Sequence, residues 1–487
     1  MKLSKSKYCN LVQCKKMLWL DENKPLEKEE IDNEVIMDNG HEVGELAKEI
    51  FGNHIDIKFN ENLNIMIKDT NEALKNNNVT ITEASFEYKD NFASIDILRK
   101  NNDEYEIYEV KSSTKIKDIF YHDISYQLHI LNNLNLKVTK CFIVYLNKDY
   151  VRKGKLELDK LFIKEDVTDK VYFMMDNINK NIKDIESYFK NPYDIDISEN
   201  CFKPYKCPFF KYCTKDLPEK NVFNLRRMSN KEKIKLYKNG IISYEQLLKE
   251  DLNEKYLMQI DFDLNNKKDY IDDKKIREFL NNLYYPLYFL DFETFQMSIP
   301  KYDYIKPYMQ VPFQYSLHFY EDEKEILNHK EFLAKEGIDP RRSLAEKLVK
   351  DIKKDSCVLA YNMSFEKSVI KNLAELYEDL KEDLMNIYDN IKDLMVPFYN
   401  REYYSKNMHG SYSIKYVLPA LFPYDKELDY HNLDLIHNGS EAMNAFSTLE
   451  EKNKEEIEII RTNLLKYCKL DTFAMVKIYE KLKEVIK

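Results

Sequence analysis

Apolar positions along the chain follow two patterns, short runs of strand type and longer stretches with helical spacing. Up to residue 213 they give a helix near Glu42–Phe51, then strand-like runs around Val79–Glu87, Asn91–Arg99 and Tyr105–Val110. A helical stretch near Ile119–Leu134 and an apolar strand at Thr139–Leu146 complete the series. This order predicts an α/β arrangement around a small sheet for residues 1–213. Residues 214–282 are polar and helical in pattern, without an obvious sheet. At 283 the pattern restarts with an apolar strand, Leu287–Leu290, followed by strands near Gln314–Tyr320 and Lys330–Leu333. A helix, a strand at Val358–Tyr361 and a terminal amphipathic helix of roughly 30 residues carrying Tyr467 and Asp471 follow. The expected fold class is α/β, multidomain, in three parts: 1–213, 214–282 and 283–487.

Composition narrows the function class. Hydrophobic residues make up 44% and charged residues 33%, which suits a soluble globular chain and excludes a disordered one. Only 8 glycines occur in 487 residues, and none stands in a G-x-G-x-x-G or G-x-x-x-x-G-K spacing, so dinucleotide and P-loop chemistry are excluded. No apolar run approaches the ~18 residues of a membrane span. Met1–Asn10 lacks the apolar core of a signal peptide, and the expectation is a cytoplasmic protein with no membrane partner. The net charge of −10 argues against coating nucleic acid by bulk charge. It leaves room for a nuclease, in which carboxylates hold metal ions and a local basic patch holds phosphates. Such a patch opens the middle part: Lys215–Gly240 holds eight Lys or Arg against three Asp or Glu. The 8 cysteines of a cytoplasmic chain point to metal or cluster ligation before disulfides.

Three constellations carry candidate chemistry. The first is Asp96 in FASIDILRK with Glu109 and Lys111 in EYEIYEVKS. Alternation puts Glu109 and Lys111 on one strand face. Carboxylates on adjacent strands can share Mg²⁺ or Mn²⁺ through hard oxygen ligands, and the lysine can orient or activate a water. Charges at i and i+2 are equally common on a solvated strand face. Gln127, one helix further on, is a candidate for positioning the strand and for contact with nucleic acid. The second constellation is Cys201, Cys207 and Cys213 in CFKPYKCPFFKYC, with Cys14 upstream in QCKKMLWL. Four thiolates complete a zinc or a [4Fe–4S] site, and C-x5-C-x5-C is not the C-x2-C knuckle of structural zinc. Cys141, Cys357 and Cys468 fall in apolar patterns and read as core residues.

In the third constellation an apolar strand runs into Asp291-Phe292-Glu293-Thr294, which places both acids on one face. Glu366 follows a later strand, and Tyr467 and Asp471 share a helix face. Four carboxylates from distant positions can hold two divalent ions for phosphodiester hydrolysis, with Tyr467 orienting the water. Asp393 is an alternative third acid and otherwise reads as a helix-end charge. The stretch MHGSYSIKYVLPAL offers Ser411 and Lys415 as phosphate contacts.

These motifs resemble known families. Residues 1–213 resemble the PD-(D/E)-x-K superfamily, in particular the RecB-like exonucleases that include small CRISPR adaptation nucleases. The resemblance implies a restriction endonuclease-like fold with a metal site at Asp96, Glu109 and Lys111. It also implies an iron–sulfur cluster on Cys14, Cys201, Cys207 and Cys213; Cys9 is the alternative to Cys14, which the following Trp19 favours. The family's first-helix His has His41 or Glu45 as counterparts in GHEVGELAKEIF, and its Gln-x-x-x-Tyr lacks the Tyr, position 131 being Leu. Residues 283–487 resemble the DEDDy exonucleases of the ribonuclease H-like superfamily. That implies a mixed sheet, strands 1–3 antiparallel with helices on both faces, and 3′–5′ action on single-stranded ends; Glu366 stands where the family usually has Asp. QCKKMLWL, DFETF, AYNMSFEKS and MHGSYSIKYVLPAL together resemble an uncharacterised bacterial family that fuses these two domains. The connector around Asn239-Gly240 resembles a helix-hairpin-helix, whose Gly turn would bind phosphate through its amides. The expected function is a Mg²⁺- or Mn²⁺-dependent nuclease acting on DNA or RNA. The alternative is a non-catalytic nucleic-acid binder with degenerate sites.

Overall fold

The computed structural model describes residues 2–29, 34–324 and 326–487, with the backbone alone over 34–39. The chain is mixed α/β and divides into two compact units, Met1–Leu217 with Met297–Tyr308, and Pro218–Gln296 with Met309–Lys487. The stretch 214–282 is therefore not a unit by itself. Phe262 and Ile276 from it share a core with Leu287 and Leu359, and its Tyr270–Ile271 pairs with Tyr403–Tyr404.

The first unit is built on a seven-stranded mixed sheet. Its strands are β1 (Leu3–Ser4), β2 (Ile55–Asp56), β3 (Asn78–Tyr88), β4 (Asn91–Asn101), β5 (Glu104–Lys111), β6 (Lys137–Leu146) and β7 (Phe162–Asp166). They run in the order β2-β3-β4-β5-β6-β7, with β1 also on β4. β3, β4 and β5 pair antiparallel, and β5 runs parallel to β6 through a helical crossover. That crossover, Asp118–Asn133, buries eleven residues because its apolar positions span more than one face. The helices that matter here are α1 (Lys5–Gln13), α2 (Lys15–Asn23), α3 (Glu34–Lys48), α4 (Asp118–Asn133) and α5 (Met175–Lys190). The helix expected near Glu42–Phe51 begins earlier and ends in a 3₁₀ turn at Glu49–Phe51. Ile299 and Tyr308 of the segment 297–308 pack against Leu146 and Phe162, which is why that segment belongs here.

The second unit contains a five-stranded sheet in the order β11-β10-β9-β12-β13 and a two-stranded one, β14-β8. These are β8 (Tyr270–Ile271), β9 (Leu287–Phe295), β10 (Val311–Tyr320), β11 (Asn328–Leu333), β12 (Cys357–Ala360), β13 (Ile391–Asp393) and β14 (Tyr403–Tyr404). β9, β10 and β11 are antiparallel, while β12 and β13 continue parallel to β9. β9 and β10 are buried along almost their whole length, as strands covered on both faces must be. Around the sheet stand α6 (Asn230–Lys238), α7 (Glu254–Asn265), α8 (Ser364–Leu376), α9 (Ile414–Leu421), α10 (Gly439–Ser447) and α11 (Lys454–Val485). α11 opens with an Asn453/Glu456 capping box, which satisfies two of its orphan amides. Among the described residues no helix is long and apolar enough to cross a membrane.

Candidate functional site

β9 carries Asp291 at its middle and Glu293 two residues further on, and α11 crosses β9 and β10 so that Asp471 meets them. One carboxylate oxygen from each of Asp291, Glu293 and Asp471 lies within 4.8 Å of the others. Burial drives all three carboxyls upward, and repulsion from the neighbouring acids adds to it at Asp291 and Glu293. Asp291 and Glu293 are held well above the carboxylate range, and Asp471 is pushed up to about 7. Tyr430 donates to Asp471 Oδ1 at 2.6 Å, which leaves Asp471 Oδ2 buried without a partner. Glu366, in the first turn of α8, is 2% exposed and also leaves Oε2 without a partner. Its carboxyl is pushed up to about 8 by burial, and its charge reaches Asp291 and Glu293 from outside the trio. Tyr467 is buried beside the acids, one turn before Asp471. Buried acceptors with unmet lone pairs and crowded like charges fit a divalent cation. Lys415 is the cation that acts on Glu293 and Asp471, from an exposed position on α9.

This electrostatic arrangement has a testable sign. The folded state binds protons at Asp471 and Glu366 that the unfolded chain releases at ordinary carboxylate pH. Stability from these groups is therefore present below about pH 4 and lost as pH rises through their folded values near 7 and 8. In EDTA, the melting temperature of the second unit should fall from pH 5 to pH 8. Mn²⁺ should raise it more at pH 8 than at pH 5, and Asp471→Asn should flatten both trends. A wild-type melting profile that rises through this window would contradict the assignment.

Asp96, Glu109 and Lys111 also converge, on the sheet of the first unit. The β4–β5 ladder ends at Ile97↔Tyr108. Beyond it the amide of Val110 donates to Asp96 Oδ2 at 2.7 Å instead. Lys111 Nζ donates to Glu109 Oε1 at 2.6 Å and to Asp123 Oδ2 at 2.5 Å. Lys5, on α1, reaches between the two acids, 3.1 Å from Asp96 Oδ1 and 2.9 Å from Glu109 Oε1. Burial alone would raise Glu109, but Lys111 and Lys5 hold it below the carboxylate range. Asp96, where burial and Glu109 dominate, is pushed up to about 6. Glu83 sits opposite Asp96 with a positive φ of 55°, and burial and Asp96 push it to about 7. The cleft over these groups is about 260 Å³ and is also lined by His41 and Glu45. His41 is exposed there, while Glu45 accepts from Lys48 at 2.6 Å.

The four cysteines Cys14, Cys201, Cys207 and Cys213 line one cavity of about 460 Å³ between the α1–α2 junction and the 201–213 loop. Burial raises the thiols of Cys201, Cys207 and Cys213, that of Cys207 to about 12. A site of soft donors at this junction suits a metal or cluster that takes thiolates. Gln13 ties the two chain ends together by donating to the carbonyls of Asn200 and Tyr205, both at 2.8 Å. Cys9 is placed elsewhere, beside Asp123 and Lys111 of the acid cleft. Cys141, Cys357 and Cys468 are buried core residues, as their patterns predict.

Three expected contacts are placed differently. Gln127 is fully buried and donates to Glu109 Oε2 at 2.6 Å, so it positions a carboxylate and is not open to nucleic acid. Ser411 is buried, and its hydroxyl accepts from the Ser413 amide at 3.2 Å, which makes it a turn residue. In the connector turn, the amides of Asn239, Gly240 and Ile241 donate to carbonyls of α6. Those of Ile242 and Ser243 donate to Gln246 Oε1, so each amide from 239 to 243 is used inside the protein and no phosphate turn forms. Asp393 accepts from the amides of Asn362 and Met363 in the turn that leads into α8, which accounts for it without a metal. Sequence reading missed Lys5, Glu83, Asp123 and Tyr430. Gly439, first residue of α10, was missed too: a Cβ there would stand 3.7 Å from Glu293 Oε2 and 4.0 Å from Tyr467 Oη.

Residues 288–413, from β9 to the start of α9, match the family described as "Domain of unknown function (DUF2779)". The matched stretch contains Asp291, Glu293 and Glu366 but ends before Tyr467 and Asp471. The chain is also 28% identical over 239 residues to "Uncharacterized protein MG366" of Mycoplasma genitalium, across 46% of this chain and 36% of that protein. The chain thus covers about a third of the length of the curated relative it matches. No solved structure matches.

Proposed function

We propose that the chain is a metal-dependent nuclease whose principal centre is Asp291, Glu293 and Asp471, with Glu366 behind them and Tyr467 beside them. One observation carries this reading: acids from β9 and from the terminal helix bring ligand oxygens within 4.8 Å, where burial and mutual repulsion hold Asp291 and Glu293 well above the carboxylate range. The antiparallel-then-parallel order of the five-stranded sheet supports a ribonuclease H-like domain of the DEDDy type. Divalent ions bound there supply Lewis acidity, activating water and offsetting charge on the phosphate. The chain's own contribution is positional. Tyr430 holds Asp471 through Oδ1 and leaves Oδ2 buried without a partner, open to a cation. The Tyr467 phenol, held neutral by burial and by the acids around it, is a donor and acceptor for a water beside them.

The first unit is read as a RecB-like PD-(D/E)-x-K domain with a second site at Asp96, Glu109 and Lys111. Its cavity of four cysteines is read as the seat of a [4Fe–4S] cluster. The Lys5 ammonium occupies the space between Asp96 and Glu109, so a divalent ion there has to displace it. For that site, a binding role without chemistry is the second reading.

The test is an end-labelled single-stranded DNA or RNA oligonucleotide with Mg²⁺ or Mn²⁺, expected to shorten stepwise from its 3′ end. Tyr467→Phe should slow this by about 10–100-fold while leaving Mn²⁺ affinity unchanged. A variant that cleaves at the wild-type rate would remove Tyr467 from the mechanism.

A further inference from the structure

A second polar feature of the second unit has no role in the reading above. Arg401 is 8% exposed, and its Nη2 donates to the Gly410 carbonyl at 2.6 Å. Its Nε and Nη1 are buried and have no partner. A guanidinium carries its charge at any working pH, so buried donors without an acceptor cost free energy unless something arrives to take them. Nothing acidic does so from within: among the described residues no carboxylate pairs with Arg401, Arg227 or Lys255. These cations are held by aromatic faces instead, and Lys255 Nζ also donates to the Tyr399 carbonyl at 2.7 Å. Arg227 lies 4.1 Å from the Tyr412 ring, Lys255 lies 4.0 Å from the Tyr399 ring, and the two rings meet edge to face at 5.1 Å. Burial lowers the Arg401 guanidinium and the Lys255 ammonium, and each is lowered further by a cationic neighbour, Arg227 and Arg401 respectively. The connector and the turn before β14 thus bring several positive charges together without a counter-charge.

We propose that Arg401, Arg227 and Lys255 form an anion site that takes a phosphate group of a nucleic-acid strand. The free Nε and Nη1 of the Arg401 guanidinium offer charged donors to phosphate oxygens, and the rings of Tyr399, exposed, and Tyr412, half-buried, offer faces for bases. Continuity with the acids favours a strand over a small phosphate compound. Tyr412 and Tyr416 stack on Arg227 and Arg226, while Lys415 between them acts on Glu293 and Asp471. One short segment therefore borders both the cation cluster and the acid centre. Its shape depends on Gly410, where an added Cβ would fall 2.0 Å from Gln259 Oε1. The site deepens the nuclease reading by assigning the strand-holding surface, and it rests on that reading for the identity of the strand.

The experiment measures binding of the full chain to a labelled single strand of about 20 nucleotides in EDTA, as a function of salt. Arg227→Gln with Lys255→Gln spares the buried arginine and is the main variant; Arg401→Met is added with its melting temperature recorded. Lys477→Gln with Lys481→Gln on α11 serves as the charge-matched control. The main variant should bind about ten-fold more weakly near 0.1 M salt, and its log–log salt slope should shrink by roughly 0.7, one phosphate contact's worth. The control should match wild type. Wild-type affinity and slope in the main variant overturn the proposal. A second arm titrates inorganic phosphate and follows melting. A phosphate shift lost in the main variant, with strand affinity intact, would assign the cluster to a small phosphate compound and overturn the strand. Absence of metal-dependent cleavage, with this binding difference intact, counts against the nuclease reading alone.

Discussion

Asp291→Asn is expected to lower metal-dependent cleavage on the order of 10³-fold, ~4 kcal/mol of transition-state stabilisation, without unfolding the second unit. Asp291 is the acid on which the others converge: Asp471, Glu293 and Glu366 all act on its carboxyl. Replacing it with an amide of the same shape keeps the packing of β9 against β10 and removes one ligand charge. In EDTA the same change relieves like-charge repulsion, so the variant should melt a few degrees higher than wild type. The combination is diagnostic. Loss of activity with a lower melting temperature would mean that the residue is structural. Cleavage at the wild-type rate would remove this centre from the chemistry.

Cys14→Ser is expected to abolish the visible absorbance of anaerobically purified protein and to destabilise the first unit on the order of 3–5 kcal/mol. Cys14 stands between α1 and α2, while its three companions stand at the far end of the same unit, so the bound group closes almost the whole unit into one loop. Around the cavity the hydrophobic contacts are few: Met17, Leu20, Cys207 and Phe209 form the buried cluster, with Trp19 and Tyr212 partly covered beside them. Absorbance and two-transition calorimetry read the outcome. Stoichiometric zinc in colourless wild-type protein would replace the iron–sulfur assignment. Unchanged melting in Cys14→Ser would make the thiols ordinary core residues.

The parts of this fold legible in the sequence are those where local pattern and partner coincide. β9 is buried on both faces and reads as a continuous apolar run that ends in two acids. α11 keeps helical spacing for 32 residues, so Tyr467 and Asp471 fall on one face wherever the helix lies. Alternation along β5 likewise places Glu109 and Lys111 together. Spacing carries no information about which distant side chain arrives. Lys5 reaches Asp96 and Glu109 across 91 and 104 residues. Tyr430 reaches Asp471 from a loop without periodicity, and Glu83 faces Asp96 from a backbone position of positive φ that alternation does not predict. Gln127 and Ser411 show the converse failure. Both are polar and stand near candidate chemistry, and both spend their hydrogen bonds inside the protein. The segment 297–308 joins β9 to β10 in sequence yet packs with the first unit, a placement set by the apolar surface around Leu146 and Phe162.

The most direct measurement is an anomalous difference map from crystals of the full chain grown with Mn²⁺. The account predicts manganese bound by oxygens of Asp291, Glu293 and Asp471, with the peak absent in Asp291→Asn. Manganese bound only elsewhere, or the three carboxylates turned apart with no ion among them, would contradict it.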